Sequence, residues 1–404
     1  QSSILNSIDF FSEENIVDDQ LRMMFVCCHP SISRDSQTAL ILKTLCGFST
    51  KEIAAALLTK EETIAKRLQR ARKSIVKNNI QFDFPPKSEL QKRLNRVMEV
   101  VYLTFNEGFH STNSNKLIRE DQILFTYLHL APDPKQAELL QASGATCIAY
   151  ETVSDSAGGL PLLSPMSEIA GRIAVQQAAH CLEKAQGGSG ILLGGVAGVR
   201  PAHITIIGAG TVGLNAARIA VGMGADVSLL DRSLARLKYV DELFAGRIKT
   251  LFSTAEAIEQ QLKVADAIIG AVLIAGAAAP KLISRSQLSL IKSGSVLVDV
   301  AIDQGGCFET SRPTTHQQPT FSIGGITHYC VANIPSCVAQ TATYALTNTS
   351  LPYVLRLADQ GMQALVGDSH FSNGLNIYKG QVTCRAVAEA TGRQYLPVLQ
   401  VLSQ

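Results

Sequence analysis

The sequence lacks any apolar run long enough to span a bilayer. Its longest, Ala265 to Pro280, is short, rich in alanine and glycine, and carries Asp266. It reads as a buried parallel strand with its exit loop. No secretory leader is expected from the first residues, which are polar and acidic; a first residue of Gln rather than Met fits a fragment. The nine cysteines are dispersed and show no C-x-x-C spacing. That excludes the usual zinc and disulfide frameworks and suits a reducing, cytoplasmic location. Cys27 and Cys28 beside His29 read either as a corner of a metal site or as a buried apolar pair on a helix. No internal repeat or low-complexity tract stands out. Charge of either sign is in short supply, with 36 Lys+Arg against 34 Asp+Glu over 404 residues, enough length for two or three domains.

The small basic excess is local. Between Lys60 and Lys77 stand seven basic residues and two acids. The first 120 residues read as all-helical. Apolar residues recur at helical spacing over Asp19 to Cys28 and Ser36 to Cys46, and Gly47-Phe48 ends the second run. Ser49-Thr50-Lys51-Glu52 forms a capping box that opens a helix over Lys51 to Leu58. Thr59-Lys60-Glu61-Glu62 predicts a second box opening a basic helix over Glu61 to Lys77. Two short capped helices joined by a tight turn describe a helix-turn-helix with Ile53, Ala54, Leu57, Ile64 and Leu68 as its core. Lys66, Arg67, Arg70 and Lys73 then suit contacts to DNA; a solvated basic face is the other reading.

The most specific local signal begins at Ile204. Ile204-Thr205-Ile206-Ile207 is an apolar strand that runs into Gly208-Ala209-Gly210-Thr211-Val212-Gly213 and then a small-residue helix, Leu214 to Val221. A second strand, Asp226 to Leu230, ends on Asp231. Strand, G-x-G-x-x-G, helix, strand and acid at these distances form a dinucleotide-binding fingerprint. Gly208 permits the turn, Gly210 lets the backbone approach a diphosphate, and Gly213 lets the helix pack on the sheet. Asp231 suits a ribose hydroxyl and repels a 2′-phosphate, which favours NAD; Arg232 beside it weighs the other way.

After Asp121 strands and helices alternate. Strands are expected at Gln122 to Leu128, Cys147 to Tyr150, Ala267 to Leu273 and Ser295 to Val300, with a long helix over Ser164 to Lys184. The fold class is therefore α/β: a doubly wound, Rossmann-type parallel sheet preceded by the all-α segment. His129, Asp303 and Asn333 fall just past expected strand ends, where ligands bind in open α/β sheets. A structural histidine and a turn-forming aspartate are the competing readings.

Two family resemblances extend these readings. Val26-Cys27-Cys28-His29-Pro30-Ser31, the stretch Leu45 to Ser74, and Tyr102 to Phe109 resemble extracytoplasmic-function RNA polymerase sigma factors, in region 4 and the helical extension after it. The resemblance covers about residues 10–120 and implies DNA and RNA polymerase as partners. The family's region 2, which grips the polymerase core, has no counterpart, so weak DNA binding is expected and sigma activity is not.

Residues from about 117 to 404 resemble alanine dehydrogenase, a relative of the transhydrogenase α-subunit. The matching stretches are Phe125 to Ala131, Leu163 to Arg172, the glycine fingerprint, Val298 to Glu309 and His328 to Pro335. This resemblance implies reversible oxidative deamination of L-alanine to pyruvate and ammonium with NAD, in a homohexamer. It makes His129 and Asp303 catalytic. Ser167, Gly208, Gly210, Thr211, Val212, Gly213, Asp231 and Asn333 become cofactor contacts, and no metal is implied. The family's Asn-Met-Pro reads Asn333-Ile334-Pro335 here, a volume-conserving change. The implied domains are 1–120, helical; 121–160 with 340–404, an incomplete substrate domain; and 161–339, the NAD domain. About a hundred family residues, with a substrate-binding arginine and lysine, have no counterpart. The expectation is a fusion of two truncated genes joined near Leu117 to Asp121, binding NAD with weak or absent turnover. A DNA-binding regulator and a non-functional fusion are the alternatives.

Overall fold

The structure is a computed structural model that describes residues 19–45, 47–57, 59–80, 83–86, 88–90, 92–94, 96–97, 100, 118–272, 274 and 277–402. Tyr102 to Phe109, Cys46, Leu58, Leu117 and Leu273 lie outside the described residues. Two compact units emerge, 1–114 with 339–347 and 115–338 with 348–404.

The first unit contains α1 (Asp19–Cys27), α2 (Arg34–Thr44), α3 (Thr50–Ala56) and α4 (Glu61–Lys77). Ile53, Ala54, Ile64 and Leu68 are buried in one core with Phe25, Ile41 and Leu42, and Leu57 packs against them. The first capping box forms. Ser49 N–H donates to Glu52 Oε2 at 2.6 Å, and Glu52 N–H donates to Ser49 Oγ at 3.2 Å. Those bonds hold the Glu52 carboxyl below its ordinary range. The second box does not form. Thr59 N–H instead closes the preceding helix on Ala54 O at 2.9 Å, so Lys60 becomes the N-cap and bonds no backbone N–H with its side chain. Glu61 turns to Thr50 Oγ1, which donates to it at 2.5 Å. Both Cys27 and Cys28 are buried, and burial pushes the Cys27 thiol up to about 11. His29 Nδ1 accepts from Ser31 N–H.

The second unit holds two sheets. In chain order its leading elements are β1 (Ile123–Thr126), α5 (Pro134–Ser143), β2 (Thr146–Ala149), α6 (Ser164–Cys181), β3 (His203–Ile207) and α7 (Thr211–Gly222). They continue with β4 (Asp226–Asp231), α8 (Leu234–Phe244), β5 (Ile248–Phe252), α9 (Ala255–Val264), β6 (Ala267–Gly270), β7 (Val296–Asp299), β8 (Thr320–Ile323) and β9 (Ile326–Tyr329). The last strands are β10 (Leu375–Tyr378) and β11 (Gln381–Val382). The larger sheet runs β5-β4-β3-β6-β7-β9-β8. All pairs are parallel except β8 with β9. The order reverses between β3 and β6, the switch point where doubly wound sheets open a crevice. Strands β3, β6 and β7 are buried along their whole length, because helices cover both faces.

The smaller sheet runs β1-β2-β10-β11, with β1 parallel to β2 and β10 antiparallel to both its neighbours. Here the sequence reading overreached. The expected buried strand Gln122 to Leu128 shrinks to Ile123–Thr126 at the sheet edge, with Ile123 exposed. Tyr150 belongs to a 3-10 turn, Tyr150–Thr152, and the long helix stops at Cys181 rather than Lys184.

Helix α6 lies on α7 with little space between the backbones. A Cβ on Gly171 would overlap the carbonyl oxygen of Val212. Gly171→Ala should therefore force the two helices apart. We expect a loss of about 1–3 kcal/mol of unfolding free energy, read by denaturant titration, together with weaker NADH binding.

Candidate active site

The glycine turn follows from the steric demands at its positions. Gly208 leaves β3 at φ +112°, and a Cβ there would stand 2.5 Å from Ala271 O, across the switch point. A Cβ on Gly213 would overlap Gly208 O, so only glycine lets α7 start this close to the strand. Among the described residues, a Cβ on Gly210 would meet nothing within 4 Å. The space in front of Gly210 is open, and Gly210 caps α7 without a side-chain bond. The N–H groups that open α7, among them those of Thr211 and Val212, face outward from the helix start, where the dipole is positive. N–H groups at a helix start beside such a space fit a diphosphate.

Asp231 ends β4 against this turn. Its Oδ2 accepts from Ala209 N–H at 2.6 Å and its Oδ1 from Ser233 N–H at 2.7 Å. The cation at the turn is Arg236, not Arg232. Arg236 donates to Ala209 O through Nε at 3.0 Å and Nη2 at 2.5 Å, whereas Arg232 is exposed. Sequence reasoning missed Arg236 because adjacency to Asp231 pointed to Arg232; one helical turn into α8 was the better signal. Ser167 sits in the first turn of α6, four residues before Gly171 and so on the face that meets α7.

Two loops meet on the far side of the switch point. Asp303 lies in the 3-10 turn Ile302–Gln304 after β7, and its Oδ1 accepts from Asn333 N–H at 2.9 Å. Asn333 is left-handed at φ +50°. His316 approaches from below, with Nε2 at 2.8 Å from Ser336 Oγ and 3.4 Å from Asn333 O. Burial holds the His316 imidazole below its ordinary value, so it is neutral at neutral pH. The Asp303 loop wraps the fully buried Asp299, which accepts from the N–H groups of Ala301, Cys307 and Phe308 and from Ser311 Oγ.

His129 follows β1 in the left-handed region at φ +47°. Its ring lies parallel to Tyr127, centroids 6.0 Å apart, and its Nδ1 is buried without a partner among the described residues. His129, Glu151, Gln304 and Asn376 line one narrow cleft, which places His129 beside the turn that carries Asp303. No Lys or Arg is among the described residues that line it. The four candidate DNA contacts lie in the first unit. Lys66, Arg70 and Lys73 are exposed, while Arg67 is half-buried in an ion pair with Asp35 at 2.8 Å.

Comparison with known proteins agrees with this geometry. The family model for the alanine dehydrogenase/PNT C-terminal domain matches residues 174–385, and that for the N-terminal domain matches residues 97–170. The chain belongs to the alanine dehydrogenase/PNT family. It is 60% identical to alanine dehydrogenase of Halomonas elongata, over 70% of this chain and 76% of that protein. It is 51% identical to that of Mycolicibacterium smegmatis, over 71% and 77%. A solved L-alanine dehydrogenase aligns with TM-score 0.64 at 48% identity, over 70% of this chain and 78% of that one. A transhydrogenase from Sinorhizobium meliloti, 23% identical with TM-score 0.55 over 68% and 78%, shares the fold. Enzymes of this family are NAD(H)-dependent oxidoreductases. A sigma-70 region 4 model matches residues 22–75. No helix among the described residues is long and apolar enough to cross a membrane.

The open space at Gly210 separates cofactor binding from stability. Gly210→Ala should leave unfolding free energy within about 0.5 kcal/mol of the parent while raising the NADH dissociation constant at least about tenfold, an effect of about 1.4 kcal/mol. Fluorescence titration and thermal unfolding read the two quantities.

Proposed function

We propose that this chain catalyses the NAD-dependent, reversible oxidative deamination of L-alanine to pyruvate and ammonium. The observation that carries the reading is the open glycine turn, set at the same switch point as the Asp303–Asn333 pair, in a chain 60% identical to an alanine dehydrogenase. The N–H groups opening α7 hold the cofactor diphosphate, and Ser167 and Asn333 flank it. Asp231 keeps one lone pair free on each oxygen for ribose hydroxyls, and its charge repels a 2′-phosphate. Bound NAD supplies the hydride acceptor. The chain's own residues manage protons. His129 presents Nε2, the ring nitrogen left to meet substrate, as acid and base. Asp303, with Oδ1 held by the Asn333 amide, turns Oδ2 to a water or to the positive charge that develops at nitrogen.

We read 161–339 as the NAD domain and 121–160 with 340–404 as a partial substrate domain; the two sheets, with strands from 203–329 and from 123–149 with 375–382, support that reading. The absence of a cation from the described His129 cleft leaves the substrate carboxylate without a charge-assisted partner there. Turnover by this chain is therefore expected to be slow while NADH binding is retained. Assays with alanine and NAD at high protein concentration check this, and rates equal to those of relatives refute it. Within that slow turnover, His129→Gln and Asp303→Asn should each lower kcat at least about a hundredfold.

A second reading applies to the helical unit alone. Its sigma-70 region 4 match and the exposed Lys66, Arg70 and Lys73 support contact with DNA phosphates. We read the chain as a fusion of a sigma-like piece with an alanine dehydrogenase piece, in the cytoplasm; sedimentation tests whether it forms the hexamer that the resemblance implies. A gel shift at low salt should show weak binding that Arg70→Ala with Lys73→Ala removes, and that Arg67→Ala, which only frees Asp35, reduces less. No shift at low salt removes this second reading.

A further inference from the structure

Glu151 has a role that its sequence neighbourhood does not announce. It lies in the turn Tyr150–Thr152 after β2 and is 2% exposed. Its Oε1 accepts from His129 N–H at 2.6 Å and from Leu128 N–H at 3.2 Å, and its Oε2 accepts from Leu128 N–H at 3.1 Å. A carboxyl group is expensive to bury, and burial is tolerated where hydrogen bonds replace water. Here they do so at a residue whose own backbone is strained. His129 has φ +47°, a region that side chains other than glycine rarely occupy.

The ring of His129 has little else to fix it. Nδ1 is buried with no partner among the described residues, and the flat contact on the imidazole is the Tyr127 ring. The hydrogen bond that holds His129 is made by its backbone N–H. Glu151 also lines the cleft with His129 and Gln304, so the acceptor of the backbone bonds and the imidazole they orient share one space. We propose that Glu151 is a positioning residue. It holds the His129 backbone in the left-handed conformation and so sets where the imidazole stands relative to the Asp303 turn. This rests on reading His129 as the acid–base group.

The test uses the full chain and Glu151→Gln, which keeps the volume and one carbonyl acceptor but replaces the other oxygen with a donor facing Leu128 N–H. Histidine-selective isotope labelling should show the His129 ring signal displaced while those of His203 and His316 stay in place. The value of kcat should fall about tenfold to a hundredfold at unchanged KM for NADH. Combined with His129→Gln, Glu151→Gln should cost nothing further. An unmoved His129 signal, or losses that simply multiply in the double variant, overturns the proposal. Full turnover by His129→Gln would instead sink the acid–base reading, and the labelled spectrum would still decide the positioning claim. Where Glu151→Gln alone does not fold, the pair with His129→Gly should, because glycine adopts the turn unaided. Failure of that pair to fold assigns Glu151 to the core and also overturns the proposal.

Discussion

The site depends on the outward-facing backbone N–H groups at the start of α7. They are available only because the chain presses two helices and a strand together without intervening side chains. Gly213 admits the carbonyl of Gly208, and Gly171 admits that of Val212. Ala209, between them, is braced from both sides, its N–H by the Asp231 carboxylate and its C=O by the Arg236 guanidinium. In the proposed role a cofactor would meet donors already aimed, with little reorganisation left for binding to offset.

On the other side of the crevice the same economy applies to side chains. Asp303 is held by the backbone of Asn333, and its loop is wound around the buried Asp299. His316 ties the Asn333 loop from beneath. Residues from the exits of β7 and β9 are thereby locked to each other, so the carboxylate and the amide behave as one unit. His129 follows β1 of the smaller sheet and shares a cleft with Gln304 of the Asp303 turn.

The glycine fingerprint was legible because each of its positions answers to a local constraint, and the parallel sheet because its buried strands read as unbroken apolar runs. Asp303 falls at the exit of β7 as expected, His129 stands three residues past the end of β1, and the roles of both are what the resemblance implies. The remainder needed tertiary structure. Nothing around Glu151 in the sequence reveals that its acceptors serve a loop 22 residues earlier. Arg236 was hidden behind the nearer Arg232. The expected strand through Leu128 failed because apolar alternation does not record a left-handed backbone at His129. The expected cap at Thr59 failed because the preceding helix claimed its N–H first. In each case a local pattern lost to a partner it could not see.

The smaller sheet joins distant parts of the chain. Gln141, on the helix between β1 and β2, donates to Gly380 across 239 positions, and β2 pairs with β10. During synthesis the β2 edge waits, unpaired, while the whole larger sheet emerges and closes. A ribosome adding about 5–20 residues per second leaves that edge open for roughly ten seconds or more, an interval in which a chaperone or another nascent copy can reach it first.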